Sequence, residues 1–233
     1  MKTFRASRVL VASVAQGRAI LRGFWHLVCA QKLLSVGLFV GAFLLGAVVW
    51  PYDQTWLDQL HFWGDGEETA RRISSFLGTW GDYPTYNLPL AVVIWLYGVG
   101  TKSSSWRRIA MVCFLGATLA GLFDDCFRLT LGRPRPDAHV ADGFYGITST
   151  FHSKFQSFPS GHAAAVFGTA VSLFVVCRPL GILTTVYALA VVWARMELYR
   201  HYPSDVIVGS LIGIYFGWMV GQGAKLRLPY RVG

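Results

Sequence analysis

The chain has 233 residues, of which 54% are hydrophobic and only 14% charged, with nine Trp, ten Tyr and sixteen Phe and a formal charge of +9. That is far too few charges for a typical soluble domain, where about a quarter of residues are charged, and it reads as a polytopic membrane protein. The Lys and Arg flank apolar runs and form no stripe on a soluble domain, so they fit membrane orientation and an acidic substrate and give no support to nucleic acid as a partner.

Residues 1–32 mix Lys2, Arg5, Arg8, Arg18, Arg22 and Lys32 with apolar residues. This segment reads as an interfacial amphipathic helix near 11–30 or as a solvated basic tail. It carries no early apolar run with a small-residue cleavage site, so no signal peptide is expected. Between Lys32 and Asp53 lie 20 uncharged residues, enough for a first span. The stretch 51–82 holds Asp53, Asp58, Asp65, Glu67, Glu68 and Asp82 against Arg71 and Arg72, with a short surface helix expected over Glu67 to Leu77. Tyr83 to Thr101 is a second span of 19 uncharged residues that tolerates Pro89, and a tight loop with Lys102, Arg107 and Arg108 follows.

Ile109 to Phe123 has 15 uncharged residues, and its helix is expected to run on through Asp124, Asp125 and Arg128 to Gly132, where weak helix propensity and the prolines beyond end it. Asp124 and Arg128 are i,i+4 neighbours able to pair. A long connection, 132–159, has prolines at both ends. A fourth span begins at Pro159-Ser160, a fifth runs from Leu180 to Ala194, and a sixth from Val206 to Gly223, before a basic tail with Lys225, Arg227 and Arg231. The expected fold is all-α: a six-transmembrane-helix bundle over 33–224, between the 1–32 segment and a 225–233 tail. The four cysteines, Cys29, Cys113, Cys126 and Cys177, lack the spacing of a zinc or redox pair and are read as small packing residues.

Six spans put both termini on one side. The N-terminal segment, the 102–108 loop, the turn at Arg178 and the C-terminal tail carry basic residues and no acidic ones, so that side is cytoplasmic. The acidic 51–82 stretch, the 132–159 connection and the 195–205 turn then face the other side. Arg133, Arg135, Arg195 and Arg200 lie there against the orienting tendency, which implies another use for them.

Three clusters share that side. Pro159-Ser160-Gly161-His162 opens a helix whose free N–H groups, dipole and glycine make a phosphate cradle, with His162 beside the bound anion as a general acid. His201 and Asp205 stand four apart, and a carboxylate bonded to one ring nitrogen would free the other for attack. Pro203 marks the start of the sixth helix, so the geometry of this pair stays open. Arg128, Arg133 and Arg135 are planar cations suited to phosphate oxygens. Taken singly, each cluster also admits a plain reading: an ordinary cap, a polar turn, a set of head-group anchors.

Together they form a pattern: Arg128, six residues, then Arg135-Pro136; Pro159-Ser160-Gly161-His162; Arg195, five residues, His201, three residues, Asp205. This pattern resembles the type 2 phosphatidic acid phosphatase superfamily. The resemblance covers Arg128 to Asp205 directly and implies a phosphatase that uses no metal and no cofactor. His201 would be the nucleophile, forming a phosphohistidine, with Asp205 orienting it and His162 protonating the leaving oxygen. Arg128, Arg135 and Arg195 would hold the phosphate with the backbone of Ser160, Gly161 and His162. Two positions depart from the family pattern: arginine at 128 in place of the usual lysine, and Ala194 in place of a serine. Six spans exclude the family's soluble haloperoxidases and acid phosphatases. The implied partner is an anionic phosphorylated lipid in the bilayer of a bacterial inner membrane, with a periplasmic active site. Phosphatidylglycerol phosphate or undecaprenyl diphosphate is the expected substrate. The alternatives are a lipid A phosphatase, a lipid phosphotransferase, and a lipid-binding or transport protein with an inactive site. Gly209 and Gly213, four apart, are expected to serve helix packing inside the bundle.

Overall fold

The computed structural model describes residues 2–61, 66–147 and 149–227. Asp65 and most of the expected C-terminal tail, including Arg231, lie outside the described residues. Nine α-helices are described there, and no strand: α1 (Lys2–Ala30), α2 (Lys32–Val49), α3 (Asp53–Leu60), α4 (Glu67–Trp80), α5 (Leu88–Gly100), α6 (Ser104–Leu131), α7 (Gly161–Val176), α8 (Arg178–Glu197) and α9 (Pro203–Arg227).

The long apolar runs become helices because a chain in an apolar surrounding must satisfy its backbone groups within each segment. Four stretches are long and apolar enough to cross a membrane: Lys32–Leu60, Ser104–Ala138, Arg178–Glu197 and Pro203–Leu226. Helix α7 is apolar but has only 16 residues, a rise of about 24 Å. Helix α5 has 13 residues and follows a wide π-type turn over Tyr83–Asn87. Length alone therefore carries four of the six expected spans.

Helix α7 is the axis. Eleven of its residues are buried, from Ala163 to Val175, and it packs against α6, α8 and α9. The contact with α9 is made by glycine. A Cβ on Gly209 would lie 2.4 Å from the Ser160 carbonyl oxygen, and one on Gly213 would lie 2.5 Å from that of Ala164. The glycine spacing thus serves packing within the bundle, and it brings α9 hard against the segment that opens α7. The outer helices present apolar side chains outward: Leu33, Val36, Val40 and Leu44 on α2, Val93 and Leu96 on α5, Ile182, Leu183 and Val186 on α8. Such a belt suits lipid and not water.

Helix α1 is not a solvated tail. Ile20 and Phe24 are buried with Val112, Ile212, Phe216 and Val220 in the main core. Ser13 Oγ accepts from Trp95 Nε1 at 2.9 Å, and Gln16 donates to the Ser104 carbonyl at 3.2 Å. These partners lie at the C-terminal end of α5 and the start of α6, so α1 lies across the end of the bundle remote from the three clusters. Helix α4 is the expected surface helix. Ala70, Ser74 and Gly78 are buried beneath it, while Ile73, Phe76 and Trp80 are exposed. The cysteines are free: Cys113 packs in the interior, whereas Cys29 and Cys126 are exposed and do not fit the packing role expected for them.

Candidate active site

Helix α6 ends where the sequence predicts. Gly132 takes a left-handed conformation (φ 67°), and a Cβ there would meet Ser149 Oγ at 2.2 Å and the Gly146 carbonyl oxygen at 2.5 Å. Glycine at that position turns the chain into the 132–159 connection. The connection is tied down by Arg135 N–H to the Lys154 carbonyl (2.7 Å) and Ser157 N–H to the Arg133 carbonyl (3.1 Å). It delivers Ser157 through Ser160 to the top of α7. Ser160 occupies the N-cap position, but its side chain makes no capping bond. Its N–H donates to the Asp205 carbonyl at 3.1 Å, so the start of α7 and the first turn of α9 are joined.

The three clusters meet here. His162, in the first turn of α7, faces His201 with ring centroids 6.4 Å apart. His201 is buried in the turn between α8 and α9, two residues before Pro203. Arg195 lies in the last turn of α8 and Arg128 in the last turn of α6. Gly161 sits against Arg128, since a Cβ there would lie 3.4 Å from its guanidinium carbon. Arg128 is steered from its own helix: it bonds Asp125 and faces the buried carboxylate of Asp124 at 3.8 Å. The i,i+4 pair expected from the sequence is present.

The polar bookkeeping separates two kinds of arginine. Among the described residues, Nε of Arg128, Arg135 and Arg195 and Oγ of Ser160 are buried without a hydrogen-bond partner. Buried donors are seldom left unpaired, and each costs about 1–3 kcal/mol when it is. These groups, around the gap between two histidines, form a cup for an anion. Arg133 is the opposite case, and its sequence grouping with the phosphate-binding arginines is corrected. It is fully buried and saturated. It donates to both oxygens of Asp142 (2.9 and 2.7 Å), to Asp53 (2.8 Å), to Ser204 Oγ (2.7 Å) and to Asp205 (2.6 Å). Its guanidinium lies between the rings of Trp50 (3.7 Å) and Tyr202 (4.2 Å). It has no donor left for a ligand. Arg200, also set apart by the charge pattern, pairs with Asp137 at 2.9 Å.

The His201–Asp205 geometry, left open by the sequence, is indirect. His201 Nδ1 lies 2.8 Å from the backbone carbonyl of Ser157 and 3.8 Å from Asp205. A carbonyl can only accept, so Nδ1 carries the proton and Nε2 keeps a free lone pair. Asp205 acts one bond further back. It accepts from Ser157 Oγ (2.6 Å), Tyr202 N–H (2.8 Å) and Arg133 (2.6 Å). Burial, and then the positive charges of Arg195 and Arg135, push the His201 ring well below the ordinary histidine range, against the pull of the Ser157 carbonyl. The ring is thereby kept neutral. Sequence reasoning missed Ser157, Asp53, Asp142 and Ser204; nothing in their local pattern marks them, because the partners that place them in the site lie 9 to 151 residues away.

A cavity of about 210 Å³ leads from this gap to the flank of the bundle, lined by Asp82, Tyr83, Thr118, Gly121, Leu122 and His162 among others. A larger one of about 680 Å³ lies beyond Arg195, between α4 and the 197–200 turn.

Comparison with known proteins places this arrangement. The chain is 34% identical over 119 residues to a lipid A 1-phosphatase of Rhizobium johnstonii, covering 48% of this chain and 46% of that protein. It is 35% identical over 130 residues to a lipid A 4'-phosphatase of Bacteroides thetaiotaomicron, covering 51% and 56%. It is 25% identical over 141 residues to the undecaprenyl-diphosphatase BcrC of Bacillus subtilis, covering 60% and 69%. The chain thus spans about half the length of the first two relatives. Its fold is similar to that of the crystal structure of a transmembrane PAP2 type phosphatidylglycerolphosphate phosphatase from Bacillus subtilis, with a TM-score of 0.60, 18% identity, and 84% of this chain and 98% of that one covered. The model of the PAP2 superfamily matches residues 109–227, the stretch from α6 to the end of α9 that holds His162, His201, Arg128, Arg135 and Arg195, and the chain belongs to that superfamily.

Proposed function

We propose that the protein hydrolyses a phosphomonoester or diphosphate on a membrane lipid head group through a phosphohistidine. The observation that carries this reading is the cup of unpaired donors on Arg128, Arg135, Arg195 and Ser160 around the His162–His201 gap. Three arginines would hold the non-reacting phosphate oxygens and stabilise them as charge shifts in transfer. His201 Nε2 bonds to phosphorus while the phosphorus–oxygen bond opposite breaks. His162 gives its proton to the departing oxygen. In the second half His162 takes a proton from water, whose oxygen bonds to phosphorus as the phosphorus–nitrogen bond breaks. The Ser157 carbonyl holds the attacking ring, and Asp205 holds Ser157. No step is assigned to a metal or cofactor.

The bundle spans a bacterial inner membrane six times in this reading, with both termini cytoplasmic and the site periplasmic. Helices α5 and α7 are the two short spans. The leaving group lies on the His162 side, so its chain runs into the 210 Å³ cavity toward Leu122, which is 60% exposed on the bundle flank. Substrate is a phosphorylated bacterial lipid: phosphatidylglycerol phosphate or undecaprenyl diphosphate in one reading. Lipid A is the second reading, favoured by the names of two relatives.

Phosphate release by the detergent-purified chain, measured across phosphatidylglycerol phosphate, phosphatidic acid, undecaprenyl diphosphate and lipid A with His201→Ala alongside, tests both. Release from one lipid, lost in the variant, is expected. Transfer of label to a second lipid in place of free phosphate would make the protein a phosphotransferase. Lipid binding without turnover by a folded protein would make the site a binding site only. Activity is expected to persist in excess EDTA; complete loss restored by added metal would overturn the mechanism.

A further inference from the structure

The phosphohistidine reading requires His162 to hold a proton when the leaving oxygen departs, so the charged groups that face its ring matter. Arg128 on α6, Arg195 on α8 and the His201 ring all face it with positive charge or none. Asp125, which also lines the cavity, is engaged by Arg128, as is Asp124 beyond it. One carboxylate remains. Asp82 Oδ1 lies 3.8 Å from His162 Nε2, an ion-pair distance longer than a hydrogen bond.

Asp82 is held in place for this. It precedes the wide turn at Tyr83–Asn87, and its Oδ1 accepts from the Tyr83 N–H at 2.8 Å. The turn is tied to α6 by Tyr83 Oη and Thr118 Oγ1, 2.7 Å apart. Asp82, Tyr83, Thr118 and His162 then line the same cavity, the one into which the leaving group departs. We infer that Asp82 is a positioning residue for the general acid: its carboxylate, 3.8 Å from Nε2, holds the His162 ring beside the leaving oxygen and offsets the positive charge the ring gains when it takes up a proton. The proton that His162 gives up in the first half departs with the leaving oxygen, and the ring takes a new one from water in the second, each time beside that carboxylate. This inference rests on the phosphohistidine reading of the site.

A general acid matters in proportion to how poorly the leaving group departs unaided, and its contribution is typically about 10²–10⁴-fold. The test uses the purified full chain and two phosphomonoesters that share an alkyl chain, one leaving as an alcohol and the other as a nitrophenol. Asp82→Asn keeps an oxygen for the Tyr83 N–H and removes only the charge, so the turn is preserved. We expect kcat/KM for the alcohol ester to fall at least about tenfold more than for the nitrophenol ester, with Asp82→Glu recovering part of that ratio. Equal losses on both esters would make Asp82 a structural cap and overturn the inference, as would no loss on either. In both cases wild-type turnover would leave the phosphohistidine reading standing. A folded wild type inactive on both esters and on the lipid panel would overturn that reading and this inference with it.

Discussion

Arg133 and the trio Arg128, Arg135 and Arg195 gather at one end of one bundle, yet they are chemically opposite. Arg133 faces three carboxylates, a hydroxyl and two aromatic rings, and nothing of it is free. The trio keeps buried donors with no partner. The first arrangement is complete without a ligand and joins α3, the 132–159 connection and α9. The second is complete only with an anion in it. A cluster of arginines in a sequence therefore says little until the acidic residues near each one are known in space. In the proposed mechanism this difference separates the part that builds the site from the part that does the chemistry.

That division can be broken by substitution. The largest effect belongs to the reacting groups: His201→Ala is expected to reduce phosphate release by about 10⁴-fold or more, as removal of a nucleophile does, with an unchanged melting profile. Near wild-type turnover would remove His201 as nucleophile. Arg133→Ala comes next, and it acts on the fold. It strands the buried carboxylates of Asp53 and Asp205, and breaking such a network costs about 3–5 kcal/mol. Loss of folded protein in detergent is expected. A stable, inactive Arg133→Ala protein would instead put Arg133 among the catalytic groups and collapse the distinction.

Arg195→Ala should do the reverse. It removes a cation whose Nε has no partner among the described residues, so stability should hold or rise. Turnover is expected to fall by about 10²–10³-fold, the usual effect of losing one donor to a developing charge. Melting of the purified variant beside its kinetics reads both. Ser157→Ala should fall between the two classes. It deletes the hydroxyl that Asp205 accepts from but keeps the carbonyl that holds His201. A stability loss of about 1–3 kcal/mol with turnover within about tenfold of wild type is expected. A collapse of turnover with the fold intact would show that Asp205 controls the nucleophile more directly than its 3.8 Å separation from the His201 ring allows.

What the sequence made legible follows the range of the interactions. Helix α6 ending at Gly132, α9 starting at Pro203, the pairing of Arg128 with Asp124 and the placing of His162 in the first turn of α7 are local, and periodicity with proline and glycine chemistry reaches them. The meeting of the three clusters was legible through charge asymmetry and the motif pattern. The partners of His201 and Arg133 were not. Ser157 precedes His201 by 44 residues, Asp53 precedes Arg133 by 80, and both sit in stretches with no periodic signal. The spacing of His201 and Asp205 left their geometry open because Pro203 starts α9 between them, and the Ser157 carbonyl, far off in sequence, takes the ring nitrogen. Helix α1 was read as an interfacial helix or a solvated tail, and its basic residues hid that Ile20 and Phe24 bury themselves in the core.

The smallest effect tests how the two regions meet at His201, whose ring is held by the structural side and faces the cations of the cup. Its proton affinity is pushed down by burial and by Arg195 and Arg135. Unfolded, the same histidine takes a proton near pH 6.5. Below that value the unfolded chain binds a proton that the folded one refuses, so stability falls with acidification and is regained as pH rises through the unfolded value. The slope from this one group is at most about 1.4 kcal/mol per pH unit. Thermal unfolding of wild type and His201→Gln between about pH 7 and 5 isolates it: the wild type should lose more, and the gap should narrow when one cation of the cup is removed by Arg195→Ala. Without substrate the ring should also remain neutral through pH 6, so kcat/KM should show no acid limb from His201 at its ordinary value. An acid limb near pH 6.5 that vanished in Arg195→Ala would reverse the sign of the coupling, because it would mean that the cation favours the charged ring. Equal acid sensitivity of wild type and His201→Gln would mean that the nucleophile is accessible to solvent protons, and that the separation between a dry, saturated support and an open cup does not extend to the atom on which both converge.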